Sequence, residues 1–469
     1  MRKLFALFIY IHIGLSAQIE YFESVLPIII INTNNQTILD ETRITCNMGV
    51  IHNANGVNSP LDSFNEYNGQ ISIEIRGSVS SFFPKKSYSL ETQTLAGKNN
   101  NVSLLDMPKE NDWILYGPYE DQTLIRNALT YKLFEKMGHY APRNKYCELF
   151  INDDYAGIYL LIEKIKRDKN RVNIEEIDNK NTSGGYILKI DHMNINGNSV
   201  KEGEYWNSNY LSIGGDSTYF QYYYPKYDEI SSEQKNYIQD FINEFETELN
   251  SPEGMDELVD KIDFQSAIDF FIIQELSKNI DAYRASTYIY KDNDFISDKL
   301  FFGPVWDFNY AYGSGSFCEG DQFIGWQNNS SCGTANPVWF QEFLEDTTYA
   351  NQLNCRWIEL RNSILNVGEM FHLIDSLMET TQEARERNFQ RWGFSEIEYN
   401  LKIIELKSWI INRLQWLDQN MFGYCDNLNA LKSMSLVKIV DILGKDTFNK
   451  GFQLHIYEDG SVEKKYLIK

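Results

Sequence analysis

Two hydrophobic periods follow one another along this chain, and its fold has to accommodate both. In the first part, apolar residues recur at every second position, as in ISIEIR at residues 71–76, which is typical of β-strands. At residues 232–249 and 263–278, and through most of 338–417, they recur every three or four positions, which is typical of amphipathic helices. The pattern therefore predicts an α+β fold with a β-rich first part and a helical second part.

Further elements are predicted around these segments by the same reasoning. Strands are expected at residues 26–32, 87–91, 185–191, 287–290 and 301–307. One early helix is expected at residues 121–137, and residues 146–151 and 158–165 should form a hairpin that turns at Asn152 to Asp154.

The two ends of the chain are expected to be separate segments. Met1 to Lys3 are positively charged, residues 4–15 are mostly apolar, and Ser16 and Ala17 are small, which predicts a signal peptide over residues 1–17. This apolar run is too short to span a bilayer and no longer run follows it, so no transmembrane segment is expected. Strand-like runs at 436–443 and 452–457, and a turn at Asp459-Gly460, predict a small all-β module over residues 429–469.

Charge and cysteine content limit the partners that this chain can have. It contains 43 Lys and Arg against 66 Asp and Glu, a net charge of −23, so nucleic acid is not an expected partner and a Lys-rich protein substrate is favoured. Of the six cysteines, Cys318 and Cys332 close a polar loop and are predicted to form a disulfide, the alternative being buried free thiols. Because no CxxC pair occurs, a zinc site is not expected.

A candidate anion-binding segment begins where the strand at residues 71–76 ends. Arg76, Gly77 and Ser78 start a loop of small and hydroxyl-bearing residues, and Lys85 and Lys86 follow it. Backbone amides can approach a phosphate closely where side chains are small, and lysines can bind the same group. The spacing is not that of a Walker A loop, and an ordinary hairpin loop with solvated lysines is the alternative.

Three carboxylates lie near the ends of predicted elements. Glu163 ends an apolar strand and is either buried against a cation or turned to solvent. Asp281 follows the helix at 263–278 and Asp307 ends the strand at 301–307, so the two could hold a divalent metal against phosphates. Each of these two residues, taken alone, could equally be a turn residue that bonds its own backbone.

Five ordered segments place these residues in one context: RGS with FPKKSY, DWILYGPYEDQTLIRNALTYKLF, GIYLLIEKI, NIDAYRASTYIYKD and GPVWDFNYAYG. Together they resemble the spore coat protein H (CotH) kinase family over about residues 25–425, so a domain of that kind is expected at residues 18–428. The resemblance implies an atypical protein-kinase-like fold, with a β-rich N-terminal lobe and a helical C-terminal lobe, that binds ATP and Mg²⁺ or Mn²⁺. It assigns Asp281 as the catalytic residue and Asp307 as a metal ligand.

Comparison with kinases extends the set of site residues. A lysine that meets the phosphates is braced by a glutamate in kinases, and here Lys86 is preferred to Lys85, with Glu163 as its partner. Kinases also carry an Asn five residues after the catalytic Asp, where this chain has Ser286. A serine is a shorter ligand and Asn309 could supply an oxygen instead, so one tight metal site at Asp307 and a weak or absent second site are expected. The alternative is that Ser286 only caps the start of the strand at Thr287.

The C-terminal segments VKIVDILG and IYEDGSVEKK resemble type IX secretion sorting domains. It implies that the type IX secretion machinery is a partner and that the protein is secreted or lies at the cell surface. The alternative is a small structural β-module. The predicted function is that of an exported, ATP- and metal-dependent kinase acting on Ser or Thr of protein substrates. Two alternatives stay open, a catalytically silent scaffold and a transferase that moves AMP to a hydroxyl.

Overall fold

The structure of the protein is a computed structural model. It describes residues 22–425 with gaps at 41, 178–180, 192–193, 196–197, 200, 252–257, 259 and 331–335, together with strands at 436–440, 451–457 and 462–467. The predicted signal peptide at 1–17, Cys332 and the Asp459-Gly460 turn lie outside the described residues.

The strands of the described residues are numbered in chain order. They are β1 Ile28–Asn32, β2 Ile44–Ile51, β3 Tyr67–Arg76, β4 Ser87–Gln93, β5 Val102–Leu104, β6 Met107–Glu110, β7 Asp112–Tyr116, β8 Asn144–Ile151, β9 Asp154–Glu163, β10 Tyr186–Ile190, β11 Asn194–Ile195, β12 Asn198–Ser199, β13 Tyr205–Leu211, β14 Ser217–Tyr224, β15 Thr287–Lys291, β16 Leu300–Phe302, β17 Leu436–Val440, β18 Gly451–Tyr457 and β19 Val462–Leu467.

The helices of the described residues are α1 Arg126–Lys136, α2 Ser232–Leu249, α3 Phe264–Ser277, α4 Trp339–Glu345, α5 Thr347–Arg361, α6 Val367–Trp392 and α7 Glu396–Asn420. Strands and helices are therefore both abundant, which confirms the prediction of a mixed α and β composition. Of these helices, none is both long enough and apolar enough to cross a membrane.

Seven of the strands close into a barrel, in the order β1-β2-β3-β4-β7-β9-β8. Only the β1–β8 pair is parallel, and the other pairs are antiparallel. Alternate residues of these strands point inward, and Ile73, Leu90, Trp113 and Leu161 are among those that fill the interior. This alternation is the pattern that the sequence shows at residues 71–76, so the predicted strand there is confirmed.

Helix α6 fastens the barrel to the helical part of the molecule. Its Asn388 Oδ1 accepts hydrogen bonds from the Ile158 backbone N–H, at 3.0 Å, and from Lys85 Nζ, at 2.9 Å. Gly157 makes this contact possible, because a Cβ there would lie 2.5 Å from that same Asn388 oxygen. One turn further along, Trp392 Nε1 donates to the Ala156 carbonyl at 3.0 Å.

A second sheet, in the order β13-β14-β10-β15-β16, is antiparallel throughout. Helix α3 packs against its edge strand β16 and also contacts α1, α5 and α7. Almost every residue of α3 is buried, so α3 is a core helix and not the amphipathic helix that the spacing of its apolar residues predicts. The C-terminal strands β17, β18 and β19 form a separate three-stranded antiparallel sheet.

Two predicted boundaries differ from the structure for local reasons. Helix α1 begins at Arg126 rather than near residue 121, because the Asp121 side chain accepts from the N–H groups of Thr123 and Arg126 and caps the helix from the preceding turn. Strand β16 ends at Phe302, since Gly303 has a φ of 113° and Pro304 has no N–H to donate. Asp307 therefore lies on an irregular segment and not at the end of a strand.

The cysteines differ in state. Cys355 and Cys425 form a disulfide that ties the segment after α7 to α5, and Cys318 is also disulfide-bonded. Cys46 and Cys147 are free and buried.

Glu246 on α2 gives the stability of the fold a pH dependence. It is buried, and it accepts from the Ser208 hydroxyl, at 2.7 Å, and from Trp339 Nε1, at 2.9 Å. Burial raises the pKa of Glu246 from 4.5 to about 7. Between these values the unfolded chain has lost the proton and the folded chain has kept it, so stability falls as the pH rises from 4.5 to 7.

We expect Glu246→Gln to raise the Tm at about pH 8.5, where the buried carboxylate is charged, and to change it much less at about pH 5. Thermal unfolding at both pH values measures this, with Asp240→Asn on the exposed face of the same helix as the control. A Gln variant that is no more stable than the natural protein at the higher pH contradicts the assignment.

Candidate functional site

A cavity of about 430 Å³ opens between the barrel and the second sheet. Its volume is in the range of pockets that hold small ligands. Charged residues of both signs face it, together with aromatic rings and the start of the loop after β3. They are Asp40, Glu74, Arg76, Gly77, Ser78, Lys164, Lys189, Asp191, Tyr288 and Trp306.

The loop after β3 meets the cavity at Arg76, Gly77 and Ser78, which are three of the predicted binding residues. The Arg76 guanidinium lies 5.2 Å from the centre of the Trp306 ring, in cation–π geometry. Gly77 is required at its position, because it has a φ of 99° and a Cβ there would lie 2.0 Å from Ser80 Oγ. The structure therefore brings this part of the predicted anion-binding segment to the cavity.

Asp281 and Asp307 lie on two loops that a single buried side chain connects. Asn279 Nδ2 donates to the Asp307 carbonyl at 3.3 Å, and Asn279 Oδ1 accepts from the Asp281 N–H at 3.3 Å. Asn279 follows α3, whose last turn ends at Lys278 in a left-handed conformation with a φ of 44°. The two predicted acids, 26 positions apart in the sequence, are in this way held beside each other.

Helix α1 holds the segment that carries Asp307. The Tyr131 hydroxyl accepts from the Asp307 N–H at 3.3 Å, and Asn127 Oδ1 accepts from the Phe308 N–H at 2.6 Å. Arg126 Nε donates to the Ala311 carbonyl at 2.9 Å. Asp307 itself has a φ of 66°, which is unusual for a residue other than glycine and is maintained by these contacts.

The two carboxylates are in an environment that disfavours their charge. Burial, together with the negative charge of Asp307, raises the pKa of Asp281 to about 7. Burial also raises the pKa of Asp307, while the charges of Arg76 and Lys189 act in the opposite direction. A bound cation would offset this repulsion.

Two charged residues of this site were not predicted. Lys189 and Asp191 form an ion pair at the end of β10 and line the cavity, and both act electrostatically on Asp281 and Asp307. A signal for them exists in the sequence, because Lys189 interrupts the apolar run of β10 and Asp191, two positions further on, directly follows the last residue of that strand.

The predicted lysines do not line the cavity. Lys85 is buried between the barrel and α6, where Nζ donates to the Ile158 carbonyl at 2.6 Å, and burial lowers the pKa of Lys85 well below its ordinary value. Lys86 Nζ donates to the Ser81 carbonyl at 2.7 Å and so closes the loop that starts at Gly77.

The predicted pairing of Glu163 with Lys86 is wrong. Glu163 is fully buried, and its carboxylate binds the Arg143 guanidinium at 2.7 Å and the Tyr140 hydroxyl at 3.1 Å. The alternative of a solvent-facing Glu163 is equally excluded. A buried carboxylate needs a cation, and a nearby arginine with its fixed geometry supplies one more readily than a lysine across the barrel.

The two residues predicted to complete a second metal site are placed differently. Asn309 is buried two positions after Asp307, on the segment held by α1. Ser286 precedes β15 with a φ of 48° and is not among the residues that line the cavity.

The donor set fits a magnesium-like ion that a ligand helps to hold. In the part of the chain that the structure describes, no three His, Cys, Asp or Glu side chains are grouped closely enough to hold a metal by themselves. Mg²⁺ is commonly bound by one or two carboxylates, with substrate phosphates and water supplying the other oxygens. Asp281 and Asp307, next to a cavity with three cationic residues, match that arrangement.

Asp281 and Asp307 are not among the residues that line the cavity, but Asp307 interacts electrostatically with Arg76 and Lys189, which do line it. Cations and an acid pair in this arrangement suit an anionic ligand that is bound together with a divalent metal. The family model described as CotH kinase protein matches residues 73–417, which is most of the chain and includes every residue of this site except Asp40. The protein therefore belongs to the CotH kinase family and is kinase-like. A comparison with curated proteins found no match.

The repulsion between the two acids can be tested through stability. Without metal, Asp281→Asn should raise the Tm at about pH 8 by a few degrees, because this pH is above the pKa of about 7 and the natural side chain is charged. Mg²⁺ should raise the Tm of the natural protein and have a much smaller effect on Asp307→Asn. Thermal unfolding with and without Mg²⁺ measures both effects, and an Asp281→Asn variant that is less stable without metal would show that the two charges do not repel.

Proposed function

We propose that this protein is an exported kinase that transfers the γ-phosphoryl group of ATP to Ser or Thr hydroxyls of protein substrates. One observation carries the proposal: two carboxylates with raised pKa values interact electrostatically with cationic side chains that line the cavity. Phosphoryl transfer needs positioning and charge neutralisation more than covalent chemistry, and these groups supply both.

The phosphates would bind where the cations are. Arg76 and Lys189 face the cavity and act on Asp307, so they are close to the acid pair, while Lys164 faces the cavity from the segment after β9. The backbone at Gly77 and Ser78 adds N–H groups in an open loop. In this proposal Lys189 binds the ATP phosphates, the role that the sequence analysis assigned to Lys86.

Asp307 and Asp281 would have different roles in the reaction. Asp307 would hold Mg²⁺ or Mn²⁺, which neutralises charge on the phosphates when it is bound. Asp281 would orient the acceptor hydroxyl and accept its proton, which is the role of a general base. Asn279 would fix the distance between the two loops.

The remaining expectations stay part of the proposal. The barrel would act as the N-terminal lobe of a kinase-like fold and the helices as its C-terminal lobe. Residues 1–17 would direct export, residues 429–469 would be a type IX sorting domain, and the protein would be secreted or lie at the cell surface. The net charge of −23 favours a Lys-rich acceptor, for which activity should fall more steeply with salt than for a neutral acceptor.

The decisive experiment is incubation of the purified protein with γ-labelled ATP, Mg²⁺ or Mn²⁺, and exported proteins. Asp307→Ala should lose metal-dependent ATP binding, and Asp281→Ala should keep binding but lose transfer. The intact mass of the modified acceptor separates phosphate from the much heavier AMP group. If ATP binds normally but no acceptor is labelled, the result favours the catalytically silent scaffold. If Asp281→Ala loses ATP binding and Asp307→Ala keeps it, Asp281 is the metal ligand and Asp307 the catalytic residue.

The assignment of the phosphate-binding lysine has its own test. Lys189→Met should weaken ATP binding by about tenfold or more, because a charge-assisted contact with phosphate is lost. Lys86→Met is the matched control and should leave ATP affinity nearly unchanged, since Lys86 binds the Ser81 carbonyl. Equilibrium binding of labelled ATP measures the affinity of both variants. If Lys86→Met weakens ATP binding and Lys189→Met does not, Lys86 is the phosphate-binding lysine.

A further inference from the structure

The segment that follows the Asp307 loop is fastened through its backbone to the residues around Asp281. Lys278 Nζ donates to the carbonyl groups of Glu319, at 3.0 Å, and Ile324, at 2.7 Å, which brings the two ends of this stretch together. An Arg284 nitrogen lies 3.6 Å from Cys318 Sγ. Lys278 and Arg284 come three residues before and three residues after Asp281, so the segment borders the proposed catalytic residue on both sides.

Further contacts make this segment rigid. Arg413 NH1 donates to the carbonyl groups of Phe323, at 3.0 Å, and Gly325, at 2.6 Å, and Trp409 Nε1 donates to the Asp321 carbonyl at 2.9 Å. Gly320 packs so closely that a Cβ would lie 2.5 Å from a methyl carbon of Ile280. The backbone of residues 319–325 is therefore ordered by buried partners.

Residues 317–324, which overlap this ordered stretch, nevertheless expose three large apolar side chains. Phe317 is 62% exposed, Ile324 is 50% exposed and Phe323 is 38% exposed. Exposed apolar groups on a backbone that is already ordered form a surface that can bind a partner without a large entropic cost. Glu319 and Asp321, both exposed, lie between them and give the surface a negative charge.

We infer that residues 317–324 form the docking surface for the acceptor protein, and that the acceptor binds there through a large apolar side chain close to its hydroxyl-bearing residue. This inference rests on the proposed function, because it takes the hydroxyl to bind at Asp281. The two acids add a preference for a Lys or Arg next to the apolar side chain. A segment of protein chain, rather than a small hydroxyl compound, is the partner that reaches both Asp281 and this surface.

Two synthetic fluorescent peptides test the inference: a lysine-flanked serine peptide with Phe and Leu next to the serine, and the same peptide with Ala at both positions. Fluorescence anisotropy with the full-length protein should show about tenfold tighter binding of the Phe and Leu peptide, the effect expected from burying one or two apolar side chains. Phe317→Ala and Phe323→Ala should each remove most of this difference.

Phe295→Ala is the matched control, because Phe295 is 94% exposed in the turn between β15 and β16 and should not affect binding. Equal binding of the two peptides by the natural protein overturns the inference, as does an unchanged preference in both the Phe317 and Phe323 variants. If the preference is found but no phosphate reaches the serine or any exported protein, the docking surface stands and the kinase proposal fails. If exported proteins are phosphorylated but the two peptides bind alike, the kinase proposal stands and the docking surface fails.

Discussion

Repulsion between two half-buried carboxylates is the constraint on which this site depends. Asp281 and Asp307 would separate if their loops were free, because burial and the charge on Asp307 both disfavour ionised Asp281. Asn279 joins the two loops, and α1 holds the Asp307 segment through Tyr131 and Asn127. A cation bound to the two acids would offset this repulsion.

The interior of the helical part keeps the loop of Asp281 in place. Glu275, on the last turn of α3, is fully buried and binds the equally buried Arg413 at 3.2 Å, and it also accepts from the N–H groups of Gln327 and Asn328. Such a pair adds little net stability, because both charges lose their hydration. The Glu275–Arg413 pair instead sets the position at which α3 ends, and with it the positions of Asn279 and Asp281 in the loop that follows. Arg413 also orders the proposed docking surface, so one ion pair positions both.

Local patterns in the sequence predicted the elements well and the pairing of side chains poorly. The helix at 232–249 and the helix capped by Asp263 and Lys278 follow from periodicity and capping residues. Asp281 and Asp307 were singled out because one follows a predicted helix and the other ends a predicted strand, and their proposed roles came from the resemblance to the CotH kinase family. The choice of Lys86 over Lys85, and its pairing with Glu163, depended on which strands become neighbours when the barrel closes. Sequence periodicity contains no information about that.

Locating the metal and the nucleotide tests most directly whether Asp307 binds the metal and the cavity cations bind the phosphates. Crystals of the protein grown with Mn²⁺ and a non-hydrolysable ATP analogue would show the metal by its anomalous scattering. We expect a manganese peak bound to the Asp307 carboxylate, with the triphosphate lying along Arg76 and Lys189 in the cavity. A nucleotide bound elsewhere, or a metal without contact to Asp307, would contradict it.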